Sequence, residues 1–90
     1  MEPMMTFQEL VRTCPAIAQL KADAASIAQQ ERRPWYAAWL EDSTIFAMAI
    51  RAAAEKTGAP PAAIRGVVLT GLLDAYYTAR RRRAKREAVA

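Results

Sequence analysis

The five residues Thr57-Gly58-Ala59-Pro60-Pro61 constrain the fold of this chain more than any others. Glycine is the natural left-handed residue just past a helix end. Pro60 and Pro61 cannot continue the helix before them, and Pro61 suits the first turn of the one after. Apolar residues recur at helical spacing on both sides. Before the turn they are Ile45, Phe46, Ala49, Ile50, Ala53 and Ala54; after it, Ile64, Val67, Val68, Leu69, Leu72 and Leu73. The expectation is a helical hairpin over 45–86: a helix from Ile45 to Lys56, a turn, and a long helix from Ala62 into the basic run Arg80-Arg81-Arg82-Arg83-Ala84-Lys85-Arg86. The apolar residues of the long helix surround much of its circumference, so its middle should be buried on several sides. Gly66 and Gly71 each cost about 1 kcal/mol against Ala there. Close helix approach and simple tolerance both account for them.

Upstream, the order of residues reads as packing support. Thr6-Phe7-Gln8-Glu9 has the form of a capping box, with Phe7, Leu10, Val11 and Cys14 following at helical spacing. Pro15 stops that helix near Thr13, which is placed to cap the next one with Pro15 in its first turn. Ile17, Leu20, Ala24, Ile27 and Ala28 then form a buried stripe, while Lys21, Asp23, Gln29 and Gln30 face water. Pro34 biases Arg33 away from helical geometry and marks a boundary. Trp35–Leu40 fits two patterns: a helix with Trp35 and Trp39 one turn apart, or a short strand alternating Trp35, Ala37 and Trp39 with Tyr36, Ala38 and Leu40. Glu41-Asp42-Ser43-Thr44 is a break or a cap. The fold expected is all-α, a single domain over 1–90 with about four helices at 7–13, 16–32, 34–56 (interrupted at 41–44) and 61–86.

Charge is distributed unevenly. Residues 1–79 carry seven Lys and Arg against eight Asp and Glu, whereas 80–90 carry six against one. The net +4 therefore belongs to the basic helix end over 80–90 and not to the body. Such asymmetry points to a polyanion partner for one end of the molecule. Six cations within seven residues would displace counterions from a nucleic-acid backbone. Arginine suits bidentate phosphate contacts and stacking on bases, and Tyr76 and Tyr77, one turn earlier, would add stacking. The bland reading is a solvated helix end, where cations offset the macrodipole.

The segment Ala53–Val68 resembles the helix-turn-helix family of DNA-binding proteins. In that family a small residue sits four before the turn glycine and apolar residues follow it by six and nine; Ala54, Gly58, Ile64 and Val67 have that spacing. The resemblance implies that the helix from Pro61 is a recognition helix, with Ala62, Ala63 and Arg65 near the groove. A second resemblance is to ribbon-helix-helix proteins, with Trp35–Leu40 as the strand and Ile45–Lys56, Gly58 and Ile64–Leu73 as the two helices and their turn. That family forms intertwined dimers that read the groove with a ribbon. This ribbon would lack the Arg, Lys, Asn or Gln that read base edges.

Other chemistry is sparse. The chain has no histidine, the commonest metal ligand and general base, and its acids are scattered, so neither an enzyme nor a metal site is expected. No cofactor motif occurs. The single cysteine, Cys14, permits no intramolecular disulfide and is expected to be a buried, inert thiol. No signal-peptide or membrane-spanning pattern is read, so a cytoplasmic protein without a membrane role is expected. Trp35, Trp39, Tyr76 and Tyr77 are candidate interface residues. A chain this small is also expected to complete its core by self-association. The function expected is nucleic-acid binding, DNA before RNA, as a regulator whose phosphate contacts come from Arg65, Arg80, Arg81, Arg82, Arg83, Lys85 and Arg86. The alternative is a helical protein-interaction module, such as an assembly factor or small inhibitor.

Overall fold

A computed structural model describes residues 6–30 and 36–89. Five helices and no strand occur among them: α1 (Phe7–Thr13), α2 (Pro15–Gln30), α3 (Tyr36–Asp42), α4 (Thr44–Thr57) and α5 (Pro61–Val89). The expected all-α bundle is therefore observed, with one helix more than foreseen. The strand alternative for 35–40 is overturned, since residues 36–40 lie within α3; Trp35, the Pro34 boundary and residues 31 and 32 lie outside the described residues. A strand would have pointed Tyr36 and Leu40 to a single face of a two-stranded ribbon. The strand would also have put Ala38 on that face; in α3 Tyr36 and Leu40 lie four apart on one helix face and are both buried, while Ala38 between them is exposed. The ribbon that a ribbon-helix-helix arrangement needs is thus helical.

Local chemistry accounts for the boundaries. The Glu9 backbone N–H donates to Thr6 Oγ1 at 3.2 Å, which starts α1. Thr13 does not cap α2 as expected. Its hydroxyl donates back to the Glu9 carbonyl at 2.9 Å, and the Cys14 carbonyl accepts from Ile17 and Ala18 to begin α2 with Pro15 in its first turn. The Thr13 carbonyl, left over at the end of α1, accepts from Lys56 Nζ. Between α3 and α4 the interruption is a single residue: Ser43 is extended, and its Oγ accepts from Ile45 and Phe46 N–H. Gly58 ends α4 at φ +75°, with its N–H donating to Ala54 O at 2.9 Å.

α5 sets the long axis. At about 1.5 Å per residue it runs about 43 Å, and the molecule measures 47 × 27 × 19 Å. Its buried positions are Ile64, Val68, Leu72 and Tyr76, each four apart. Val67, Leu69 and Leu73 flank this line half-buried, so the helix presents one broad face to the core where burial on several sides was expected. α2 lies along this face more extensively than any other helix. Ile17, Leu20, Ala24 and Ala28 form its contact stripe, with Ile27 only half-buried. The two alanines buried in α2, Ala24 and Ala28, and the pair Ala53 and Ala54 in α4 keep neighbouring backbones close, while Leu10, Leu40 and Phe46 supply bulk. Each such large apolar side chain contributes about 1.5–3 kcal/mol on burial. Ile45, expected on the buried face of α4, is 56% exposed instead; its place is taken by Phe46, and Met48 is exposed beside it.

The two helical glycines differ. A Cβ at Gly71 would fall inside the ring of Phe7, so α1 approaches α5 closely there. A Cβ at Gly66 meets nothing, and that glycine is merely tolerated.

Candidate functional site

The continuation of α5 past Tyr76 decides where each cation points. Residues 80, 83 and 87 follow Tyr76 at steps of four, seven and eleven, and so prolong its buried face. Arg80 and Arg83 are accordingly half-buried. Arg83 Nη1 donates to the Gln29 carbonyl in the last turn of α2, and its Nε donates to Glu87 Oε1 at 3.1 Å. A guanidinium at that place ties α5 to the last described turn of α2 through a backbone carbonyl. Arg80 lies beside three tyrosines that join α3 to α5. Tyr36 and Tyr76 are fully buried and stacked, with centroids 3.4 Å apart and planes 21° apart. Burial raises the Tyr36 phenol above its ordinary pKa of 10.0, and Arg80 acts in the opposite sense. Tyr77 stands edge-on to both, at 5.5 Å from Tyr76 and 6.3 Å from Tyr36. Its pKa is raised chiefly by its hydrogen bond to Tyr36.

The other four cations face outward. Arg81, Arg82, Lys85 and Arg86 are exposed and form two rungs, 81 with 85 and 82 with 86. Residues four apart on a helix have Cβ atoms about 5–6 Å from one another. No carboxylate lies three or four residues from any of the four. Arg81 bonds only to a neutral partner, Thr78 Oγ1, at 3.3 Å. Asp74 lines a groove together with Arg82, Lys21, Thr78 and Phe7. The result is a cationic surface on which, among the described residues, none of the four makes an ion pair, carried on a helix that Arg83 ties to α2.

The remaining sequence candidates are placed as follows. Arg65, expected near a DNA groove, pairs with Glu41 at 2.5 Å and ties α5 to α3, far up the helix from the basic rungs. Ala62 and Ala63 are exposed beside it, while Ala54 and Ile64 are buried and Val67 half-buried around the Gly58 turn. Trp39 is half-buried against the core. Tyr76 is wholly buried, so it stacks on Tyr36 and is closed to a nucleobase; only Tyr77, 43% exposed, remains at the surface. Cys14 is buried. Sequence reasoning missed the separation of the six cations into two kinds. The signal for it was present: the four-residue line from Ile64 to Tyr76 extrapolates to Arg80.

Among the described residues no helix is long and apolar enough to cross a membrane, and no group of three or more acids and cysteines comes together that could hold a metal. Comparison with family models, with curated proteins and with solved structures finds no match for the chain.

Proposed function

We propose that this protein binds nucleic acid through the phosphate backbone, with Arg81, Arg82, Lys85 and Arg86 as the contact surface and the α4–α5 hairpin as its scaffold. The observation that supports this reading is the double rung at the end of α5, whose four cations make no ion pair among the described residues. Like charges four apart on a helix repel, and each pair weakens the helix by a few tenths of a kcal/mol. Macrodipole relief falls off within the last turn, so it does not account for two such pairs. A polyanion relieves both pairs at once and releases its own counterions. The opposite end of α5 offers Ala62, Ala63 and Gly66, which have no side-chain groups to read base edges, and Arg65 is already paired. Phosphate recognition at 81–86 is therefore the better-supported mode.

The test is binding of labelled oligonucleotides at low salt by the full chain and by a variant with Arg81, Arg82, Lys85 and Arg86 all changed to Gln. Arg80 and Arg83 are kept so that the helix end stays anchored. Tight binding by the full chain and its loss in the variant are the expected results. Equal binding by both would refute the proposal.

A second reading draws on a different surface. Ile45 and Met48 are 56% and 66% exposed on the outer face of α4, one turn apart. They are the kind of apolar pair that a protein partner, including a second copy of this chain, would cover. Light scattering of the native protein and of Met48→Asp tests self-association, expected as a shift from dimer to monomer mass.

A further inference from the structure

The three tyrosines beside the basic rungs carry a more specific reading of the ligand. Tyr36 and Tyr76 are consumed by the core. Tyr77 is held against them by two edge-on contacts and a hydroxyl pairing, yet leaves 43% of its surface open to solvent. An aromatic ring that is already oriented loses little further freedom when something stacks on it. Its position along the helix matters as well. Residues 77, 81 and 85 are four apart and share one stripe, so the open tyrosine heads a line that continues into Arg81 and Lys85. From 77 to 85 this stripe covers about 12 Å of helix. The stripe of Arg82 and Arg86 runs alongside.

We infer that the ligand is a single-stranded nucleic acid, one of whose bases stacks on Tyr77 while the adjoining phosphates lie along Arg81 and Lys85; this rests on the polyanion reading above. A simple polyanion satisfies the cations and leaves the tyrosine without purpose. A duplex keeps its base faces inside its own stack, out of reach of a surface ring. A single strand presents a base face and a phosphate in alternation, which is the order of chemistry along this stripe. The flanking residues Thr78, Ala84 and Ala88 supply one hydroxyl, already accepting from Arg81, and two methyl groups. None of these three is an Arg, Lys, Asn or Gln, and the cations of the stripe are committed to phosphates, so the preference is for strandedness and not for sequence.

The experiment uses the full chain, its Tyr77→Phe and Tyr77→Ala variants, and three probes of comparable charge: a thymidine oligonucleotide, a duplex of the same length, and inorganic polyphosphate. Helicity by circular dichroism checks that each variant is folded. The single strand should bind tightest. Tyr77→Ala should lose about 5- to 150-fold in affinity for it, the range expected for one stacked base, with the same salt slope and unchanged polyphosphate affinity. Tyr77→Phe, which keeps the ring, should bind within about twofold of the native chain. If Tyr77→Ala binds the single strand as well as the native chain does, or if the duplex binds equally, the stacking inference is overturned while polyphosphate binding upholds the polyanion reading. If the native chain binds none of the three, both fall together.

Discussion

The salt dependence of binding distinguishes four contact cations from six, and so tests the division of labour at the end of α5. For a protein neutralising Z phosphates, log K falls with log salt at a slope of about −0.9Z on duplex DNA and about −0.7Z on single strands. With Arg81, Arg82, Lys85 and Arg86 engaged, the slope should be about −3.6 on a duplex and about −2.8 on a single strand. Raising salt from about 50 to about 200 mM should then weaken duplex binding about 150-fold, and single-strand binding about 50-fold. If Arg80 and Arg83 also reached phosphates, the duplex slope would be about −5.4, a loss of about 1,800-fold over the same range. The two cases differ by an order of magnitude, well within the reach of an anisotropy titration. Single substitutions sharpen the result. Arg82→Gln should lower the duplex slope by about 0.9, because one released counterion is lost. Arg83→Gln should leave the slope where it was, because that guanidinium is held by Gln29 O and Glu87. A fall in slope for Arg83→Gln equal to that for Arg82→Gln would refute the assignment of structural and contact roles.

Three further predictions concern the fold that carries this surface. Gly66→Ala should stabilise the protein by about 0.5–1 kcal/mol, since it removes a helix-interior glycine at a place where the new methyl meets nothing; Gly71→Ala should instead destabilise by about 1–2 kcal/mol, since the Phe7 ring must be displaced, and denaturant midpoints of equal sign for the pair would contradict this. Arg83→Gln should lower the thermal midpoint by roughly 4–8 °C, the effect of about 1 kcal/mol in a domain of this size, after allowance for the quarter of its side chain that stays exposed; calorimetry showing no change would deny the anchor. The folded-state pKa of Tyr36 is raised above 10.0 by burial, so its contribution to stability is complete below that pH and is lost as pH rises through the folded value. Tyr36→Phe, which cannot ionise there, should unfold at higher pH than the native chain, and an alkaline circular-dichroism titration with coincident midpoints would exclude the mechanism.

How much of this was legible in the sequence depended on whether the determining interaction was local. The Gly58 turn, the Thr6 cap and most of the buried line of α2 follow from periodicity and capping chemistry within a few residues, and they were read correctly. In α5, Ile64, Val68 and Leu72 were read as buried, but Val67, Leu69 and Leu73 are only half-buried and Tyr76, expected to stack on bases, closes the buried line. The Trp35–Leu40 segment was ambiguous because its aromatics favour strands and its alanines favour helices. In the structure Tyr36 lies on α3 and stacks on Tyr76, forty residues later, a contact beyond the reach of any local rule. Ile45 and Phe46 are adjacent and equally apolar. Which of them is buried depends on the approach direction of α2 and α5, which no local rule supplies. Gly66 and Gly71 are alike in sequence, and only the arrival of Phe7 from α1 distinguishes them. Thr13 had two uses for one hydroxyl, and the nearer carbonyl of its own helix took it.

The same distinction explains why six adjacent cations do two jobs. A helix that packs with one face must continue that face alongside its neighbour, and α2 still lies beside α5 at Arg83, which bonds to Gln29. Beyond Tyr76 and Ala79 no residue of α5 joins the apolar core among the described residues, while the Gln29 carbonyl of α2 faces the helix. An arginine on the inward side meets both demands: its stem covers apolar surface and its guanidinium donates to the exposed carbonyl. The outward side of the same two turns carries no such obligation. Charge placed there gains nothing from packing and loses a little to mutual repulsion. Arg81, Arg82, Lys85 and Arg86 are thus positions where folding alone offers no reason for four cations and no carboxylate. Arg83, bonded to Gln29 O and Glu87, ties this part of α5 to α2, and on the proposed reading a phosphate backbone would meet rungs already mounted on a packed helix.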